Sequence, residues 1–120
     1  MKKLIVSQSE NYYFRVNYYA EDSGHIWSEY KQNYIKEYDD KDGYKKVLLS
    51  TSDKATGKGH RFSVHRLILS TFNPVANMQN LQVDHIDGDI TNNTLLNLRW
   101  TTARENLENP NTKIHRRVYD

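Results

Sequence analysis

Cysteine is absent from this 120-residue chain, which excludes a disulfide framework and any structural zinc held by thiolates. Proline is limited to Pro74 and Pro110, and there is no internal repeat, low-complexity segment or obvious linker. No apolar run approaches the ~20 residues needed to span a bilayer, and the Met1–Val6 start lacks the apolar core of a signal peptide. Hydrophobic residues make up only 37%, so the core must be thin, yet 12% aromatics argue against a disordered chain. The expectation is one soluble, cytoplasmic domain spanning residues 1–120.

Charge of one sign is missing where it is informative. Residues 67–98 contain no Lys or Arg but three acids, Asp84, Asp87 and Asp89. The stretch before it, 41–66, carries seven basic groups against two acidic ones, and 99–120 carries five against three. An acidic, Asn-rich island thus lies between two basic stretches. A basic rim invites a polyanion such as nucleic acid, and the acids inside it would repel phosphate unless a cation intervenes. The plainer reading is that the Lys residues are solvated faces of strands and loops.

The first half reads as short strands and turns. Asn11–Tyr19 is rich in Tyr and Phe and suits a strand, with weaker candidates at Gly24–Tyr30 and Asn33–Tyr38. Asp42–Gly43 signals a turn before the strand Tyr44–Ser50, and after a polar loop Ser52–Gly59 the strand returns at Arg61–Val64. Val64, Leu67, Ile68 and Phe72 then form one apolar stripe at helical spacing, which Asn73–Pro74 ends. The second half predicts a strand at Leu81–His85, a loop Ile86–Leu96 of residues that bond their own backbone, and a strand at Leu98–Thr101. Thr102 with Glu105 is a capping box that starts a helix at Ala103, which Pro110 stops. This strand, loop, strand, helix unit is too small to bury a core of its own and must lean on the first half.

Asp84, His85, Asn97 and Asn106 carry the chemistry. Neighbours on a strand leave opposite faces unless the strand ends there, and Gly88 with the nearby Asn residues makes an ending plausible. Asn106 can face back from the helix, so a carboxylate, an amide oxygen and an imidazole can converge on one point. A hard divalent cation such as Mg²⁺ or Mn²⁺ takes oxygen ligands, here Asp84 and Asn106, and fills its shell with water and phosphate oxygens. His85, neutral near pH 7, can take a proton from an attacking water. A calcium loop is excluded. With Gly88 at its sixth position, the first and twelfth positions are Val83 and Thr94, which are not ligands.

The runs Val64-His65-Arg66-Leu67-Ile68, Val83-Asp84-His85-Ile86-Asp87-Gly88-Asp89, Asn92-Asn93 and Asn97-Leu98-Arg99-Trp100-Thr101-Thr102, with Glu105-Asn106, resemble the HNH endonucleases of the phage homing and nicking type. The resemblance covers about residues 61–110 and implies an α+β fold. A small N-terminal sheet region with a helix would pack on a ββα-metal finger. It implies His85 as general base, Asp84 and Asn106 as ligands of one divalent cation, and Asn97 as the residue that holds the loop and orients the histidine. Asp89 stands where relatives often carry Asn. Members with Cys pairs hold a structural zinc; here Leu98 and Trp100 would brace the finger by packing.

The organisation implied is a strand-rich, DNA-contacting region 1–63, a helix with the HNH unit over 64–110, and a tail 111–120. The partner implied is DNA, as a duplex, with a homodimer or partner protein as a further source of specificity. Arg99 and Arg104 flank the site, and either can clamp a phosphate or be solvated. Lys41, Lys45, Lys46, Lys54, Lys58 and Arg61 are candidate non-specific phosphate contacts. His65 reads as a packed, hydrogen-bonded structural residue, and His25, His60 and His115 as surface or nucleic-acid contacts. The Tyr-rich first region reads as strand packing before it reads as a stacking surface for DNA. The reading is a metal-dependent DNA endonuclease. The alternative is a binding module, a regulator or inhibitor that holds DNA or protein on the same fold without cutting.

Overall fold

The computed structural model describes residues 1–52 and 59–108. Their strands form three antiparallel sheets. The first has the order β1 (Lys2–Leu4), β2 (Tyr18–Glu21), β3 (Ile26–Ser28) and β4 (Asn33–Tyr34). The second joins β5 (Tyr38–Asp39), β6 (Lys45–Leu49) and β7 (His60–Ser63), and the third pairs β8 (Gln82–His85) with β9 (Leu98–Thr101). Helix α1 (Val64–Phe72) follows β7 directly, and α2 (Ala103–Glu108) follows β9.

Period-two burial makes the strands. Tyr18 and Ala20 of β2, Ile26 and Ser28 of β3, and Val47 and Leu49 of β6 point inward while their neighbours do not. In α1, Val64, Leu67, Ile68 and Leu69 are buried, as its apolar stripe requires. The helix ends at Asn73, whose N–H bonds the Leu69 carbonyl, and Pro74 cannot continue it.

The expected strand Asn11–Tyr19 is corrected. Only Tyr18 and Tyr19 join a sheet; Phe14 makes an isolated bridge to Thr51. The Ser7 hydroxyl donates to the carbonyls of Ser9 and Tyr12, and around the single bridge the segment bonds residues 50–52: Tyr13 N–H to Ser52 Oγ, Ser52 N–H to the Tyr13 carbonyl at 2.9 Å and Arg15 N–H to the Ser50 carbonyl at 3.1 Å. Tyr12, Phe14, Tyr18 and Phe62 pack edge-on and tilted against one another instead. The candidate Asn33–Tyr38 also divides, its ends falling in β4 and β5 of different sheets.

One core serves all three sheets. Ile5, Ala20, Ile26, Val47, Leu49 and Ile68 are buried in the same cluster as Val83 and Leu98 of the third sheet. The second-half unit therefore leans on the first half, each fully buried aliphatic side chain contributing about 1.5–3 kcal/mol. Trp100 packs against this cluster and donates its Nε1–H to the Asn73 carbonyl at 2.8 Å, so Leu98 and Trp100 brace the finger. Among the described residues no helix is long and apolar enough to cross a membrane.

Candidate active site

The hairpin of β8 and β9 carries the site, and Asn97 ties its long loop. The Asn97 carbonyl accepts the Ile86 N–H at 2.8 Å, closing the loop at its base. The Asn97 side chain accepts the Asp87 N–H at 3.0 Å and donates to Asp87 Oδ1 and the Asn92 carbonyl, each at 2.9 Å. Hydrogen bonds to the charged form, led by the Asn92 carboxamide, hold the Asp87 carboxyl below the usual range. Thr91 does the same for Asp89, so both acids are spent on loop structure.

The loop delivers Asn93 to His85. Asn93 is buried and its Oδ1 lies 2.8 Å from His85 Nε2. A carboxamide oxygen accepts only, so Nε2 carries the proton in the neutral ring and Nδ1 is the basic nitrogen. His85 is 4% exposed. Its ring meets His65 edge-on at 5.2 Å and Tyr44 at 6.1 Å. Burial pushes the His85 pKa below the ordinary imidazole value, against the opposing pull of the Asn93 bond and of Asp84, Asp87 and Asp89. The ring is therefore neutral at pH 7.

Asp84 is 1% exposed and receives Arg99 Nε at 2.8 Å. Arg99 stands directly opposite Asp84 in the ladder, so the pair shares one face of the hairpin. Gln82, two residues before Asp84, lies on that face, and the Asn106 Nδ2 donates to Gln82 Oε1 at 3.0 Å. Asn106 is carried there by α2, whose capping box forms in both directions: Thr102 N–H to Glu105 Oε1 and Glu105 N–H to Thr102 Oγ1, each at 3.1 Å. Carboxylate and carboxamide thus share a face, as a hard cation would want. Within the strand, alternation sends His85 to the other face, where it meets His65. Asn106 meets β8 at Gln82, on the face that also carries Asp84, while His85 leaves the other face at the end of the strand. Among the described residues no three His, Cys, Asp or Glu side chains cluster to hold a metal. The donor set suits an ion that takes two protein oxygens and completes its shell with water and phosphate.

An open polar cleft of about 320 Å³ lies beside the start of β8, with Asn106, Gln82 and His65 in its walls. Asp84 and His85 sit outside its lining. Lys46 lines it and donates to Ser63 Oγ at 2.9 Å. Lys45 is paired with Asp39 at 2.6 Å, and Arg61 stands over the Tyr38 ring. Arg99 is half-exposed but bonded to Asp84, Arg104 is exposed on α2, and Lys41 is exposed beside the Gly43 turn. Lys54, Lys58 and His115 lie outside the described residues. His25 bonds Glu37 at 2.7 Å and His60 stacks on Tyr12. His65 is packed, as expected, but its Nδ1 is buried without a hydrogen-bond partner. Sequence reasoning gave no role to Asn93 or Tyr44, although the Asn92–Asn93 pair and the Gly43-Tyr44 of the loosely matching first half were visible.

Residues 62–108 match the family model of the HNH endonucleases. Over 93 residues the chain is 37% identical to the DNA endonuclease I-HmuI of Bacillus phage SP01, covering 78% of this chain and 51% of that protein. It is 34% identical over 92 residues to an uncharacterized HNH endonuclease of Acanthamoeba polyphaga mimivirus, covering 76% of this chain and 26% of that one. A solved structure, of DNA binding and cleavage by the HNH homing endonuclease I-HmuI, superposes with a TM-score of 0.68 at 34% identity. The match covers 82% of this chain and 53% of the other. The chain thus spans about half the length of the phage relative.

Proposed function

We propose, with residues 62–108 belonging to the HNH endonuclease family, that this chain is a metal-dependent endonuclease that hydrolyses phosphodiester bonds of duplex DNA. The observation that carries the mechanism is the buried His85 imidazole, fixed at Nε2 by Asn93 in a loop that Asn97 clamps. His85 Nδ1 takes a proton from water as the water oxygen bonds phosphorus. The bond from phosphorus to the 3′ oxygen breaks, leaving a 5′-phosphate and, after protonation from solvent, a 3′-hydroxyl. General-base help of this kind contributes roughly 10²–10⁴-fold. Asp84 and Asn106 would hold one divalent cation, Mg²⁺ or Mn²⁺, which when bound supplies neutralisation of charge on the phosphate and the leaving oxygen. Arg99 pairs with Asp84 at 2.8 Å and fixes the orientation of its carboxylate. Asn97 is a positioning residue, acting on His85 through the loop.

Supercoiled plasmid tests this reading. Incubation with Mg²⁺ or Mn²⁺ is expected to give open-circle or linear DNA, and EDTA to prevent it. His85→Ala is expected to slow cutting at least ~10²-fold while folding and DNA binding persist. Undiminished cutting by that variant would remove His85 as the base. Binding of the plasmid without cutting in either metal would instead favour a non-catalytic binding module.

A further inference from the structure

We propose that the polar cleft beside β8 seats a second backbone phosphate of the DNA strand, away from the bond that is cut, held by Lys46 and Ser63 at the start of α1. This inference rests on the nuclease reading above and adds a binding position to it.

Four observations meet there. First, Lys46, Ser63, His65 and Arg66 line one cleft, so an ammonium, a hydroxyl, an imidazole and a guanidinium face one volume. Second, its positive charge is poorly cancelled. Arg66 is fixed by the carbonyls of Leu81 at 2.9 Å and of Met78, which take its protons but bring no charge. Asp40 is the carboxylate in the wall, and its Oδ1 already accepts the N–H groups of Asp42 and Tyr44 at 2.8 and 3.0 Å. Third, the Ser63 hydroxyl makes no capping bond to α1 and is held outward by Lys46. The first turn of α1 contains no acid, so the positive end of the helix dipole adds to the same site. Fourth, His65 Nδ1 is buried in this region without a partner, and in the tautomer that carries its proton there it can donate to an arriving phosphate oxygen.

The site also continues in a useful direction. Lys46, Ser63 and Arg66 line a second cavity of about 290 Å³, whose other walls include Tyr12, Phe14 and Phe62. The two cavities therefore adjoin across the β7–α1 junction. A strand leaving the Asn106 side of the cleft passes Lys46 and reaches an aromatic surface on which sugar and base can rest.

The experiment is binding of a 20-base-pair duplex by fluorescence anisotropy, in EDTA so that nothing is cut, across a series of KCl concentrations. Lys46→Gln should weaken binding and lower the slope of log K against log salt by about 0.9, the value for one phosphate contact. Ser63→Asp separates binding from folding. An aspartate at the N-cap should raise the melting temperature, yet it places a carboxylate where the phosphate sits and should weaken DNA binding about tenfold or more. Wild-type affinity and slope in Ser63→Asp, or an unchanged slope in Lys46→Gln, would overturn the inference and leave the nuclease reading intact. Absence of duplex binding by the wild-type chain would overturn both.

Discussion

At the scale of the residue, two imidazoles, His65 at the start of α1 and His85 at the end of β8, meet edge-on at 5.2 Å. His65 illustrates the cost of such packing. Burial first, then the charges of His85, Lys46 and Arg66, push its pKa down to about 3. Below pH ~6.5 the unfolded chain binds a proton at this residue that the folded chain refuses. The unfolded state then holds more protons, so stability falls as pH falls through the window from ~6.5 to about 3. Between pH 6.5 and 5 His65 alone should remove about 1.5 kcal/mol. Urea unfolding of the wild type and of His65→Phe at those two pH values checks this. The variant should lose less stability by about that amount, and parallel losses would contradict it. Asp84, His85, Asn97 and Asn106 stood out in the sequence as residue types suited to a metal and a base, and the family resemblance supplied the roles proposed for them. Asn93's contact with His85 was not legible there. Which side chain receives an imidazole proton depends on how a loop closes, and Asn92 and Asn93 are equivalent until Asn97 takes the backbone carbonyl of one and leaves the side chain of the other to His85.

At the scale of the element, α2 is the weakest part that the proposed chemistry needs. A helix of six residues is marginal by itself, so its capping box and its packing on β8 and β9 must hold it in place. Thr102→Ala removes the hydroxyl that receives the Glu105 N–H and should cost about 1 kcal/mol, read as a lower melting temperature. Asn106 sits one turn into the helix, its N–H on the Thr102 carbonyl. If the helix must form to hold the ion, the same loss appears as about fivefold weaker Mn²⁺ binding by calorimetry. Thr102→Ser should restore both. A stability loss with unchanged Mn²⁺ affinity would remove Asn106 from the ion's ligands. This box, the α1 stripe and the β8 and β9 strands were readable because their signals are local. The segment Asn11–Tyr19 was misread because an aromatic run suits a strand and an edge-to-face cluster equally well, and the short bridge it makes to residues 50–52 is a long-range contact that no local pattern announces.

At the scale of the whole molecule, the N-terminal sheet acts as a buttress for the loop that holds His85. The turn between β2 and β3 reaches the loop directly: the Leu95 N–H donates to the Asp22 carbonyl at 3.0 Å. Gly24, at φ +101°, lies so close to Asn93 that a Cβ there would stand 2.6 Å from the Asn93 carbonyl carbon. Nothing in the sequence links Gly24 to Asn93, since the contact exists only once the first sheet and the finger share a core. Gly24→Ala meets both a disfavoured backbone conformation and a backbone clash, so it should cost about 1–3 kcal/mol of stability. On the mechanism proposed above it should do more. Relieving the clash pushes Asn93 away from His85, and on that mechanism a loosened imidazole is a poorer base while the basic surface proposed to bind DNA is untouched. Cleavage by Gly24→Ala, measured well below its melting temperature, should therefore fall in rate at unchanged DNA affinity, and the His85 Nε2–H should exchange faster with solvent by NMR. Loss of stability with a wild-type cleavage rate would mean that the loop holds His85 without the sheet, and that the first half of the chain serves the finger only through the shared core.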